Sequence, residues 1–123
     1  MFGRQKLMAF VGTSDGERAR AFYEGTLGLA VTSDDGFALA VDANGTMLRI
    51  QKVGPFKPHP FTSLGWDVKD IDAVVASLEE RGVVFERFAG MDQDERGIWS
   101  APSGARVAWF KDPDGNTLSI TQL

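Results

Sequence analysis

The two halves of this 123-residue chain carry the same order of sequence patterns. Each half has an alternating apolar run, a stretch with helical period, and several short strand-like runs separated by turn residues. Asp15 opens the first helical stretch and Asp70 the second, an offset of 55 residues (70 − 15). Neither half is large enough to bury both its sheet and its helix. The repeat therefore predicts a duplicated βαβββ unit packed as one domain.

Turn and capping residues predict where the helices, the linker and the strands begin and end. Ser14 and Glu17 have the spacing of a capping box for a first helix, and Gly82 suits the left-handed end of a second helix that begins at Asp70. Proline and glycine mark one linker. We expect a single domain over residues 1–123, with module one at about 5–52, the linker at about 53–60 and module two at about 61–123. The predicted strands are Lys6–Gly12, Ala30–Ser33, Phe37–Asp42, Thr46–Lys52, Phe61–Val68, Val83–Phe88, Gly97–Ala101, Ala105–Phe110 and Thr117–Gln122.

Alternation along the most regular strands separates two kinds of sheet face. One face is uniformly apolar, as expected beneath an amphipathic helix. The other, which we call the mixed face, combines sulfur-containing, aromatic, charged and hydroxyl side chains and is suited to a ligand and water. Its predicted residues are Met8, Phe10, Gly12, Met47, Arg49, Gln51, Phe61, Ser63, Gly65, Asp67, Thr117, Ser119 and Thr121.

Composition excludes several chemistries. The chain has no cysteine and one histidine, His59, so it has no disulfide, no thiolate metal site and no two-histidine site from one chain. The net charge is −4 and the basic residues form no block, which argues against nucleic-acid binding. No apolar run approaches the roughly 20 residues of a membrane span, and the N-terminus lacks a signal-peptide core. We therefore expect a cytoplasmic protein with no membrane role.

The pattern resembles the vicinal oxygen chelate superfamily, which groups glyoxalase I, extradiol dioxygenases, fosfomycin-resistance proteins and bleomycin-resistance proteins. The resemblance covers nearly the whole chain. It depends on Ser14-Asp15, Phe22-Tyr23 and Leu27-Gly28-Leu29, followed by Val68-Lys69-Asp70, Gly82-Val83 and Asp112-Pro113-Asp114-Gly115-Asn116. It implies an α+β fold in which two βαβββ modules form a curved mixed sheet with an open cup, helices on the outer face, and a homodimer.

In the metal-dependent members of that superfamily, four side chains from the first and last strands of the two modules hold the cation. The resemblance places Met8, Arg49, Ser63 and Ser119 at those positions. None is a histidine or a carboxylate, and Arg49 brings a permanent positive charge to the place of the cation. We therefore expect no metal and no cofactor.

The same positions predict a binding site for a small organic ligand. The guanidinium of Arg49 can clamp a carboxylate or phosphate, or it can pair with a carboxylate such as Glu86 or Glu95. Trp99 and Trp109 are either stacking surfaces or ordinary packing residues, and Ser63 and Ser119 can donate hydrogen bonds but lack an activating base. The predicted ligand-binding residues are Met8, Phe10, Met47, Arg49, Ser63, Trp99, Trp109 and Ser119.

Three functions are compatible with this pattern. The favoured one is a metal-free protein that sequesters a small organic molecule, as bleomycin-resistance proteins do. The alternatives are an enzyme of the same superfamily with a non-standard site, and a partner-binding module with a vestigial cup. His59 lies between Pro58 and Pro60 in the linker, where it is either solvated or contributes to a site across a dimer axis.

Overall fold

The computed structural model describes all residues 1–123 and contains two compact units, Met1–Pro58 and His59–Leu123. Each unit is a strand, a helix and three further strands, which confirms the predicted α+β fold with two βαβββ modules. The elements of the first unit are β1 Met8–Thr13, α1 Gly16–Arg20, β2 Ala30–Asp34, β3 Ala38–Ala43 and β4 Thr46–Lys52. Those of the second are β5 Thr62–Asp67, α2 Ile71–Glu80, β6 Trp99–Ser100, β7 Arg106–Lys111 and β8 Thr117–Gln122.

Each unit has one open, four-stranded mixed sheet. The strand order is β1-β4-β3-β2 in the first unit and β5-β8-β7-β6 in the second. In both units the first and last strands run parallel, and the remaining neighbours are antiparallel. The helix provides the crossover that a parallel pair requires, so it covers one face of the sheet and leaves the mixed face uncovered by a helix.

The first helix begins at a different residue from the one the capping-box spacing predicts. Asp15, not Ser14, is the N-cap, and its side chain accepts a hydrogen bond from the Arg18 amide at 3.1 Å. Asp15 thus caps a free amide of the first turn from one position later, and the predicted Ser14–Glu17 box is not needed. The helix continues as a π-helical stretch over Ala21–Thr26, which places Tyr23 in the core.

The second helix matches its prediction more closely. Its N-cap Asp70 accepts from the Ala73 amide at 3.1 Å, and Gly82 follows its end with φ +89°. Ile71, Val75 and Leu78 form its buried stripe, and the helix contacts β7 and β8.

The predicted strand Val83–Phe88 is wrong, because this segment has no regular ladder. Its Glu86 amide donates one hydrogen bond to the Trp109 carbonyl at 2.8 Å, and Phe85 is buried with its ring 5.7 Å from that of Phe110. Gln93 fixes the returning loop by donating to the carbonyls of Glu86 and Gly97. The apolar segment Val83–Phe88 thus contributes one buried side chain, Phe85, to the core without forming a strand.

The helix-facing side of each sheet forms the core. In the first unit, Leu39, Val41, Leu48 and Ile50 are at most 2% exposed. In the second, Ala108, Phe110, Leu118 and Ile120 are at most 3% exposed. No helix of the chain has the length and apolar character required to cross a membrane.

Candidate functional site

The mixed face of the first unit consists of cross-strand rows over β1, β4 and β3. The central row is Phe10, Arg49 and Ala40, and the next row is Met8, Met47 and Asp42. Phe10, Met8 and Met47 remain 51%, 44% and 42% exposed, whereas Val11 and Leu48, which neighbour Phe10 and Met47 along the strands, are 6% and 2% exposed. The predicted division of faces therefore places four of the predicted ligand-binding residues on one contiguous surface.

Arg49 is half-buried at the centre of this surface and makes no hydrogen bond or ion pair within its unit. The carboxylate of Asp35, in the turn before β3, interacts electrostatically with Arg49. Hydrogen bonds from the Phe37 and Ala38 amides hold the pKa of Asp35 below its ordinary value, and the positive charges of Arg49 and Lys52 lower it further. Both amides donate to the Oδ1 atom of Asp35, and no hydrogen bond or ion pair joins this carboxylate to Arg49, so the guanidinium keeps its donors for another acceptor.

The two ends of this face differ. A side-chain carbon added at Gly12 would lie 3.3 Å from the Phe56 ring and 3.3 Å from Val53, so the linker covers that end. At the opposite end, beside Met8 and Met47, a cavity of about 660 Å³ opens between the segment before β1 and the β3–β4 hairpin. A volume of this size is in the range of small-molecule sites.

The mixed face of the second unit has a different central row, which is Gly65, Ser119 and Trp109. Ser119 is only 7% exposed. A side-chain carbon at Gly65 would lie 2.8 Å from the Ser119 hydroxyl, so glycine is what leaves room for that hydroxyl. The same positions that hold a phenylalanine and an arginine in the first unit thus hold a glycine and a serine here.

Aromatic rings cover the outer part of this second face. The ring of Trp109 lies 6.2 Å from that of Trp99 and 5.4 Å, edge to face, from that of Phe88. The indole N–H of Trp109 donates to the Thr62 hydroxyl at 3.2 Å, which fixes the orientation of its ring. Both tryptophans are half-buried.

The remaining predicted residues are placed less centrally. Ser63 lies at a register shift in β5, between the pairs Thr62–Thr117 and Leu64–Leu118, and has no cross-strand partner. His59 is exposed and stacks on Phe61, with ring centroids 5.0 Å apart. Glu86, one of the carboxylates considered for Arg49, forms an ion pair with Lys111 at 3.6 Å.

Sequence reasoning missed three residues that shape these faces. Ala40 is the cross-strand neighbour of Arg49, Phe56 closes the Gly12 end, and Phe88 completes the aromatic group. An aromatic residue inside a proline- and glycine-rich linker is a signal that could have identified Phe56. The sequence did not indicate the role of Phe88, because it was assigned to the predicted strand Val83–Phe88, which does not form.

The residues at the four positions that the resemblance equates with a metal site do not fit a divalent cation. They offer a thioether, a guanidinium and two neutral hydroxyls, and the guanidinium repels a cation. Cross-strand from Arg49 and Ser119 are Phe10 and Gly65, which supply no ligand atom from their side chains. No group of three or more His, Cys, Asp or Glu side chains able to hold a metal ion occurs in the chain.

Two repeated βαβββ units with open mixed sheets define the class of this protein, and sequence comparison agrees. The model of the Glyoxalase/Bleomycin resistance protein/Dioxygenase superfamily matches residues 7–120. The chain belongs to this superfamily. No curated protein matches the chain.

Solved structures show the same fold. A superfamily member from Sphaerobacter thermophilus is 27% identical, with a TM-score of 0.76 and complete coverage of both chains. The structure named oxidase ChaP-H2 is 25% identical, with a TM-score of 0.73, covering 98% of this chain and 94% of its own. A lactoylglutathione lyase from Agrobacterium tumefaciens is 16% identical, with a TM-score of 0.75 and coverages of 97% and 93%.

Proposed function

We propose that this protein binds a small organic molecule on its mixed sheet faces without a metal ion. The observation that carries the proposal is Arg49, a half-buried cation with no partner in its unit, in the middle of an exposed apolar surface. A guanidinium flanked by apolar side chains binds an acceptor more strongly than one in open water, because the local dielectric constant is lower.

Residues of the second mixed face support the same function. The hydrogen bond from Trp109 to Thr62 holds an aromatic ring in one orientation beside the small Gly65–Ser119 pair. A fixed ring next to a notch suits a flat ligand group, since little side-chain entropy is lost on binding. The other proposed contacts are Met8, Phe10 and Met47 on the first mixed face, and Ser63 and Trp99 on the second.

The test combines metal analysis with a ligand screen. Protein purified without a histidine tag is expected to contain no stoichiometric transition metal, and about one ion per chain would contradict the proposal. A thermal-shift screen of small acids, neutral aromatics and aromatic cations is expected to yield a ligand that stabilises the wild type. Absence of any hit across the library would favour a partner-binding module instead.

An enzyme with a non-standard site is the second candidate. It is favoured by the 25% identity to a structure named oxidase ChaP-H2. Incubating each screening hit with the protein in air, and then measuring the mass of the hit and the dissolved oxygen, separates the two functions. A sequestering protein returns the hit unchanged, whereas catalytic turnover consumes it.

The proposal includes a homodimer in the cytoplasm. Light scattering at micromolar concentration is expected to give twice the 13.4 kDa chain mass. A single monomeric species would remove the dimer from the proposal without affecting ligand binding.

A further inference from the structure

We infer that the first mixed face selects a carboxylate with an elongated apolar body, held at its head by Arg49. This inference depends on the proposed ligand-binding function and names its ligand class. It follows from three features of the first unit. Arg49 has an uncompensated charge, apolar side chains lie between it and the Met8–Met47 end of the face, and the linker covers the Gly12 end.

The charge determines the head group. On β4, the other cation is Lys52, which is already paired, since it contacts Asp34 and also donates to the Asp35 carbonyl. Lys6 lines the cavity at the far end, beyond the two methionines, so Arg49 is the cation with free donors in the central row. A planar guanidinium presents two parallel N–H groups that match the two oxygens of a carboxylate.

The apolar side chains determine the body. Phe10 lies beside Arg49, and Met8 and Met47 form the next row, two residues further along the strands. Two residues of a strand span roughly 7 Å. A body of about that length or longer would cover the two methionines, whose flexible thioethers adapt to chains of different shape.

The closed end determines the direction. Phe56 and Val53 occupy the space above Gly12, so a ligand cannot extend that way from Arg49. The cavity at the other end is lined by Met8 and Met47 together with Lys6 and Asp42. A carboxylate at Arg49 therefore directs its body toward the methionines and into this cavity.

The experiment uses three eight-carbon probes with different heads: octanoate, octan-1-ol and octylammonium. Titration calorimetry at pH 7 is carried out on the wild type, Arg49→Gln, Arg49→Lys and the control Arg20→Gln. Arg20 lies on α1, where it pairs with Glu24, so its variant loses the same charge from the same unit. Butanoate tests the body, because it retains the head but is too short to cover the second row.

Octanoate is expected to bind the wild type and Arg20→Gln most tightly of the three probes. Arg49→Gln is expected to weaken octanoate by about 10- to 100-fold, the effect of losing a charge-assisted hydrogen bond. Arg49→Lys should give an intermediate loss, octan-1-ol should not distinguish the variants, and butanoate should bind more weakly than octanoate.

Other outcomes overturn the inference in identifiable ways. Equal binding of octanoate and octan-1-ol, or tightest binding of octylammonium, would overturn the carboxylate assignment and leave the proposed function standing. Octanoate binding that survives in Arg49→Gln would do the same. If neither these probes nor the broader screen stabilises the protein, the proposed function itself fails and this inference with it.

Discussion

The central rows of the two mixed faces occupy equivalent positions in the repeat but carry opposite chemistry. In the first unit the row is Phe10, Arg49 and Ala40, which is large, cationic and small. In the second it is Gly65, Ser119 and Trp109, which is small, neutral and large. The same backbone register therefore supports a charged surface in one unit and an aromatic surface with a notch in the other.

The hairpins that lead into the last strand of each unit differ in a similar way. Asp42 is exposed and accepts one backbone hydrogen bond, from Gly45 at 2.9 Å. Its counterpart Asp112 is 5% exposed and accepts from the Asp114 amide, the Asn116 amide and the Asn116 side chain. The second unit thus depends on buried polar contacts where the first has a solvated turn.

The largest effect on the free energy of unfolding is expected at the hairpin of the second unit. Asp112→Ala leaves buried donors of Asn116 without their acceptor and should lower the free energy of unfolding by about 3 kcal/mol. Asp42→Ala, the matched change in the first unit, should cost within about 0.5 kcal/mol because its turn is in water. Urea unfolding monitored by circular dichroism measures both, and equal losses would refute the contrast between the hairpins.

The notch of the second face is tested by filling it. Gly65→Ala places a carbon 2.8 Å from the Ser119 hydroxyl and should cost about 1–3 kcal/mol. The double variant Gly65→Ala/Ser119→Ala should recover much of that loss, because it removes the clashing oxygen. Gly25→Ala, which meets no atom within 4 Å, is the control in the same urea titration. No recovery in the double variant would mean that the serine is not what requires the glycine.

The Asp72–Arg106 pair gives the second unit a pH-dependent contact between α2 and β7. Both carboxylate oxygens accept from the guanidinium, at 2.8 and 3.0 Å, and these hydrogen bonds lower the pKa of Asp72. Its stabilising contribution is therefore complete above the unfolded-state pKa of about 4 and is lost as the pH falls through the lower folded-state value.

Asp72→Asn should lower the melting temperature by a few degrees at pH 7 and by progressively less below pH 4. Differential scanning calorimetry over this pH range measures the difference. A gap that stays constant down to pH 2 would indicate that the carboxylate charge is not its source.

The smallest effect on stability is expected at Arg49. Since its guanidinium has no partner in its unit, Arg49→Met should change the free energy of unfolding by within about 0.5 kcal/mol. Arg106→Met, which breaks the bidentate pair, should cost more in the same chemical denaturation assay. A large loss for Arg49→Met would show that this arginine stabilises the fold, in place of serving a ligand.

Much of the fold could be predicted from local patterns. The period of the apolar residues and the offset of Asp15 and Asp70 were sufficient for the order of elements, and the bounds of β4 and β8 match their predictions. The prediction of a strand at Val83–Phe88 is wrong because β-propensity cannot indicate whether a neighbouring strand has free hydrogen-bonding groups. Alternation has a fixed period of two, so it predicted which residues share the mixed face. It did not predict which of them are neighbours across strands.

The sequence by itself determined the repeat and the division of each sheet into a core face and a mixed face. Only the family resemblance singled out Met8, Arg49, Ser63 and Ser119 as the positions to compare with a metal site. Tertiary structure decided which of these residues are adjacent. Cross-strand register places Phe10, not Met8, opposite Arg49, and Gly65, not Ser63, opposite Ser119. Register depends on a bulge in β5 and on backbone pairing between distant segments, and counting along one strand cannot reveal either.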